Sequence, residues 1–372
     1  MKRAAGLAGL VLLALAAGLA WRWESAASAA LALAAPTTES WLSALREAAA
    51  REQIEISAPS GRLPADLYRP RTSRGALLLV HGLSRAGRRQ PDLERLARIL
   101  AGHGLIVVVP QFEGLAAFRL SGQEVEDMRA ALYHTAALGS PTPGGAGFGR
   151  VGIAGFSFGA GPALIAAADV PDLRVAASFG GYADLLDVIT YVTTGAHTFA
   201  GHRYVQRQEE YNRWKLLALL APLVAEPSQR RLLDAIAQKK LAYPGDDTSA
   251  IEASLDPAGR AVLAVAVNRR EDRVAALVAA LTPGSREALQ RLSPLAAVPR
   301  IRGRLLLAHG IGDDSIPFTE SLRLAAAADG RAHVALFETF HHTGPEPGWS
   351  SAPARARDVW RLVRVLDELL GS

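Results

Sequence analysis

The chain has 372 residues, enough for one large domain with insertions or for two smaller ones, with a sizeable core in either case. Hydrophobic residues make up 49% and charged residues 21%, as in an ordinary globular protein; all but four of the 41 basic residues are arginines, spread thinly to a net charge of +5. With no basic cluster and no interleaved aromatics, nucleic-acid binding is excluded, and the absence of cysteine excludes disulfides, thiolate metal sites and a cysteine nucleophile.

Lys2 and Arg3 precede an uncharged apolar run from Ala4 to Trp21. As a helix this run would span roughly 27 Å, close to the ~30 Å hydrocarbon thickness of a bilayer. Trp21-Arg22-Trp23 resembles an interfacial belt, and the leading positive charges favour a cytoplasmic N-terminus with the body outside. Three readings stand: an uncleaved anchor, a cleaved export signal that leaves a secreted or periplasmic body, and a soluble amphipathic leader. Residues 1–51 are assigned to this segment and its tether, with Ala26 to Ser40 as a tether or loose helix.

The body, 52–372, begins with alternating polar and apolar residues from Glu52 to Ser57, a Pro59-Ser60-Gly61 turn, and a second strand from Leu63 to Tyr68, which predicts an antiparallel edge hairpin. The continuous apolar run Ala76 to Val80, ending in His81-Gly82, predicts a strand buried on both faces. A helix over Asp92 to Ala101, a strand over Leu105 to Pro110 and a helix over about Gly122 to Leu138 follow. Pro141 to Gly149 reads as a flexible turn. The strand Arg150 to Ala154 then leads into Gly155-Phe156-Ser157-Phe158-Gly159 and a small-residue helix to Ala168, followed by the strand Val175 to Phe179. Later come strands over Leu305 to His309 and Val334 to Phe337, a helix over about Phe318 to Ala328, and a terminal helix over about Arg355 to Leu370. Strands alternating with helices predict a mostly parallel central sheet with helices on both faces. Residues 184–292 break the alternation with helical patterns over Tyr204 to Leu220, Gln229 to Lys240 and Arg260 to Leu281, and no convincing strand. They are read as a helical insertion placed to act as a lid.

A glycine two places on either side of Ser157, between a buried strand and a helix, is the pattern of a nucleophile elbow. The turn is so tight that side chains at the flanking positions would strike its neighbours, and it thrusts the hydroxyl into a cleft. The N–H of Phe158, at the start of the following helix, is placed to hold an oxyanion, and the N–H of Leu83, after Gly82, supplies the second donor. A serine hydroxyl needs a base and an orienting acid. The acid is sought in the loop after the strand ending at His309: Asp313 is favoured, Asp314 is the alternate placed to cap the next helix or meet solvent, and Asp184 is the reserve. The base is His341 or His342, in the loop before the terminal helix. His81 and His309, each before a glycine at a strand end, are read as braces for loops.

With these residues the chain resembles the α/β-hydrolase superfamily, in its dienelactone-hydrolase-like and prolyl-oligopeptidase-like branch. The resemblance rests on His81-Gly82, the Gly155–Gly159 elbow, the block His309-Gly-x-x-Asp313-x-x-Ile316-Pro317 and a late histidine, over roughly 52–183 and 293–372. It implies Asp313 over Asp314, and His342, which precedes Thr343-Gly344-Pro345, over His341. The long insertion departs from the family's pattern, so no substrate preference carries over. The expected activity is a serine hydrolase cleaving a carboxylic ester through an acyl-serine, on a small-molecule ester or acyl substrate, with no metal or organic cofactor and membrane contact through the N-terminal segment. The alternatives are a peptidase, amidase or thioesterase on the same triad, and a non-catalytic binding module of the same fold. The oligomeric state stays open.

Overall fold

The computed structural model describes residues 23–34, 49–139, 150–341, 344–345 and 351–371. Its strands are β1 (Ala50–Ala58), β2 (Gly61–Arg69), β3 (Gly75–Val80), β4 (Leu105–Pro110), β5 (Val151–Phe156), β6 (Val175–Phe179), β7 (Ala196–Phe199), β8 (His202–Val205), β9 (Arg304–Gly310), β10 (Ala332–Phe337), β11 (Phe340–His341) and β12 (Gly344–Pro345). Eight of them form one sheet in the order β1-β2-β4-β3-β5-β6-β9-β10. From β4 to β10 every neighbouring pair is parallel, and the β1–β2 hairpin joins β4 antiparallel at one edge. The central strands β3 and β4 are buried at every position, which is why they read as unbroken Leu and Val runs rather than as alternating patterns.

Helices cover both faces. The helix Pro91–Gly102 starts with Pro91 in its first turn and Gln90 accepting the Leu93 N–H, and it turns Leu93, Ala97, Leu100 and Ala101 inward at helical spacing. It shares one face of the sheet with the terminal helix Ala352–Leu370, which Ser351 caps and Gly371 ends in the left-handed region at φ 67°. The helices Gln123–Gly139 and Ala160–Ala168 cover the other face, where Met128, Leu132 and Leu164 are buried. The fold is that of an α/β hydrolase.

Residues 23–34 overlap the stretch expected as a tether or loose helix. They form a helix on the face shared with Ala352–Leu370, with Ala26, Ala29 and Ala30 at most 1% exposed. Trp23, expected at a membrane interface, packs on Trp360 with ring centroids 5.2 Å apart. Alanines allow the helix to approach the body closely, a contact with no mark in the local sequence. No helix among the described residues is long and apolar enough to cross a membrane. The apolar run from Ala4 to Trp21, and the turn expected over Pro141 to Gly149, lie outside the described residues.

The insertion also differs from expectation. It opens with the helix Leu185–Thr194 and then forms the β7–β8 hairpin, closed by the two-residue turn Ala200-Gly201 at φ 49° and 80°. Two successive positive φ values are what a short hairpin turn needs, and strands of four residues are too short for a periodic signal. The helix expected from Tyr204 therefore starts at Glu210. The helix expected over Arg260 to Leu281 splits into Pro257–Val267 and Glu271–Ala279. At the break Asn268 is extended, and Arg213 donates to the Ala266 and Asn268 carbonyls at 2.8 and 2.5 Å. Near the ends of the insertion, the Tyr182 hydroxyl donates to the Leu292 carbonyl at 2.9 Å. The Ala183 and Asp184 N–H groups each donate to Oε2 of the fully buried Glu320 at 2.9 Å.

Candidate active site

The register brings the C-terminal ends of the parallel strands to one edge. Val80 of β3 faces Gly155 of β5, Phe156 faces Phe179 of β6, Phe179 faces Ala308 of β9, and Gly310 faces Phe337 of β10. The turns carrying Leu83, Ser157 and Asp313, and the segment beginning at Glu338, all leave the sheet there.

Ser157 follows β5 directly at φ 51°, in the left-handed region, a conformation worth about 1–3 kcal/mol of strain for a residue with a side chain. Packing around it imposes this. A methyl group at Gly155 would lie 2.5 Å from the Ala160 Cα, and one at Gly159 would lie 2.2 Å from the His81 carbonyl oxygen. The helix that follows and the end of β3 are therefore seated against the elbow, leaving Ser157 half-buried.

The turn after β3 touches the serine: a methyl at Gly82 would stand 2.9 Å from the Ser157 Cβ. Buried His81 holds that turn. Its Nε2 accepts the Phe112 N–H at 3.1 Å, which puts the ring proton on Nδ1 for donation to the Gly82 carbonyl at 2.8 Å. Burial lowers its pKa to about 4, so the ring stays neutral and works as a brace. Among the described residues neither the Leu83 nor the Phe158 backbone N–H has a hydrogen-bond acceptor. Both are thus available to an oxyanion.

Asp313 is 2% exposed. Its Oδ1 accepts the Ser315 and Ile316 N–H groups at 2.8 and 2.9 Å, and its Oδ2 lies 3.4 Å from His309 Nε2. His309 braces the same loop, donating Nε2–H to the Ile316 carbonyl at 2.9 Å and accepting the Ser321 hydroxyl at Nδ1. Asp314 Oδ1 lies 3.3 Å from the Ser315 hydroxyl oxygen, beside Asn212 Oδ1 as an acceptor for the same proton. It does not cap the helix Thr319–Ala327, which has no side-chain cap. Asp184 caps Leu185–Thr194 through the Leu186 N–H at 2.7 Å, so its carboxylate is committed to a helix end. His342 lies outside the described residues, and of His341 only the backbone pairing with Gly344 is described.

The insertion reaches the turn after β3. Arg85, three residues beyond Gly82, donates to Gln238 of the helix Pro227–Ala242 at 2.7 Å. A cavity of about 240 Å³ opens there, with Arg85, Phe118, Arg119 and Asp234 in its wall. These residues carry no local signal, because they meet only when the insertion folds back over the sheet edge.

The family model of the X-Pro dipeptidyl-peptidases (S15 family) matches residues 60–343. No curated protein matches the chain. Among solved structures, the chain is similar to Pyrococcus horikoshii acylaminoacyl peptidase, with 14% identity and a TM-score of 0.48 over 82% of this chain and 39% of that one. It is similar to a Mycobacterium tuberculosis puromycin-hydrolyzing peptidase, with 18% identity and a TM-score of 0.48 over 86% of this chain and 38% of that one. The esterase domain of a Rhodothermus marinus protein gives 18% identity and a TM-score of 0.45 over 84% and 96%. The chain thus spans about two fifths of the length of the two peptidases.

Proposed function

Because the chain belongs to the X-Pro dipeptidyl-peptidase (S15) family, whose members are serine hydrolases, we propose that it is a serine peptidase releasing short N-terminal pieces of peptides through an acyl-serine intermediate. In this reading the Ser157 hydroxyl attacks the carbonyl carbon while His342 takes its proton, and Asp313 orients and stabilises the imidazolium. The N–H groups of Leu83 and Phe158 hold the oxyanion. His342 then passes the proton to the departing amine, and water cleaves the acyl-serine by the same steps in reverse.

The observation that carries the reading is the elbow: a positive-φ serine at the end of the central strand, pressed against a glycine turn, with the N–H groups of Leu83 and Phe158 uncommitted among the described residues. The peptide preference draws support from the family match, which runs from residue 60 through β2, the insertion and the loop of Asp313 to residue 343. Carboxylic esters are the second reading, favoured by the aliphatic helices of residues 184–292, which we take as a lid over the cleft. We further propose that the segment before residue 23 addresses the protein to a membrane or for export, with the catalytic body outside the cytoplasm.

The test is Ser157→Ala with a fluorophosphonate probe, then kcat/KM on Ala-Pro-p-nitroanilide against p-nitrophenyl esters of increasing chain length. Loss of labelling and a clear preference for the anilide support the proposal. Labelling at another serine would remove Ser157, and turnover of esters alone would favour the second reading.

A further inference from the structure

Three elements of the insertion converge on the loop that carries Asp313. Tyr191, in the helix Leu185–Thr194, donates its hydroxyl to the Asp313 carbonyl at 2.6 Å. Gln206, just beyond β8, donates Nε2 to the Gly312 carbonyl at 3.0 Å. Asn212, in the helix Glu210–Leu220, donates Nδ2 to the Asp314 carbonyl at 2.9 Å, and its Oδ1 accepts the Ser315 hydroxyl at 3.2 Å. Three successive carbonyls are thus held by three side chains from outside the sheet domain. Tyr191, Asn212, Asp313 and Ser315 are all buried, where an unpaired carbonyl is costly and a matched donor confines the chain. Burial also pushes the Tyr191 phenol upward, so it stays a donor.

The sheet domain grips the other side of the same loop. The Asp313 N–H donates to the Gly310 carbonyl at 3.2 Å, and His309 holds the Ile316 carbonyl. The loop is clamped between the two parts of the chain, with the Asp313 carboxylate between the clamps. We infer that Tyr191, Gln206 and Asn212 are positioning residues for the triad acid, so that the insertion sets the aim of Asp313 as well as covering the cleft. This rests on the assignment of Asp313 as that acid.

Among the described residues, the titratable groups beside the acid include Tyr191, His309, Lys215 and Asp314. His309 lies 3.4 Å from its Oδ2, Asp314 adjoins it in the chain, and Lys215 of the insertion reaches the Ser315 hydroxyl at 3.4 Å. Aiming matters because a misplacement of about 1 Å costs on the order of 100-fold in rate, while leaving contacts to the rest of the substrate in place.

The experiment uses the full chain and p-nitrophenyl acetate, comparing Tyr191→Phe, Gln206→Ala and the double variant Tyr191→Phe/Asn212→Ala with Asp313→Asn. Arg203→Gln serves as control, since it removes only an exposed ion pair to Glu271 elsewhere in the insertion. The expected result is kcat lowered about 10-fold in the single variants and about 100-fold in the double, with KM within about twofold. The acid limb of the kcat/KM profile should also move to lower pH, because a less well-aimed carboxylate stabilises the imidazolium less. Asp313→Asn should move in the same direction and further, and Arg203→Gln not at all. Tyr191→Phe removes one oxygen and Gln206 is only half-buried, and thermal melting confirms the fold of each variant that is scored. Unchanged kcat and pH limb in these variants beside an inactive Asp313→Asn would overturn the clamp and leave the triad standing. An active Asp313→Asn would overturn the acid assignment and the clamp with it.

Discussion

Gly82→Ala is the sharpest test of the oxyanion role proposed for the turn after β3. The added methyl would lie 2.9 Å from the Ser157 Cβ and 3.0 Å from the Phe156 carbonyl oxygen, with the backbone of β5 behind both. Carbon atoms pack at about 3.5–4.0 Å, so the turn has to retreat by roughly 0.6 Å or more. An oxyanion donor works within about 2.7–3.1 Å of the developing charge, so this retreat carries the Leu83 N–H out of range. Complete loss of one donor lowers kcat by about 100- to 1,000-fold; a weakened one should lower it about 10- to 100-fold with little change in KM. The assay is initial-rate kinetics on p-nitrophenyl acetate and Ala-Pro-p-nitroanilide, with thermal melting to confirm the fold. A folded Gly82→Ala enzyme with kcat within about twofold of the parent would show that the turn holds no charge in the transition state.

Other substitutions separate chemistry from structure. Asp313→Asn should lower kcat about 10⁴-fold, as loss of the orienting acid does in serine triads, whereas Asp314→Asn and Asp184→Asn should stay within about tenfold; a larger loss at either would reassign the acid. The buried carboxyl of Glu320 is pushed up to about 8 by desolvation and by Asp187. Between about 4.5 and 8 the folded chain keeps a proton that the unfolded chain releases, so stability should fall as pH rises through that window. Glu320→Gln should flatten the dependence, and parallel melting curves for the two proteins from pH 5 to 9 would count against it. Ala29→Leu overfills a fully buried position under the helix 23–34 and should destabilise by about 1–3 kcal/mol without changing kcat; unaltered stability in denaturant would mean that this helix is not seated on the body.

The elbow and the α/β alternation were legible from sequence because both arise from short-range causes. Gly155 and Gly159 are needed at fixed offsets from Ser157, and the runs Ala76 to Val80 and Leu105 to Val109 mark strands buried on both faces. Position just after the apolar run of β9 likewise placed Asp313 at the edge where the parallel strands end. Tertiary structure alone decided the rest. Asp184 and Asp313 both follow strands that end at this edge, yet one caps a helix and the other sits in a buried loop. Alanine carries no directional signal, so the docking of 23–34 could not be read locally, and the β7–β8 strands are too short to show a period. The hydrogen bond from the Tyr191 hydroxyl to the Asp313 carbonyl joins residues 122 positions apart in the chain. A hydrogen bond between residues that far apart is set by how the insertion folds back on the sheet, and no pattern in either neighbourhood records it.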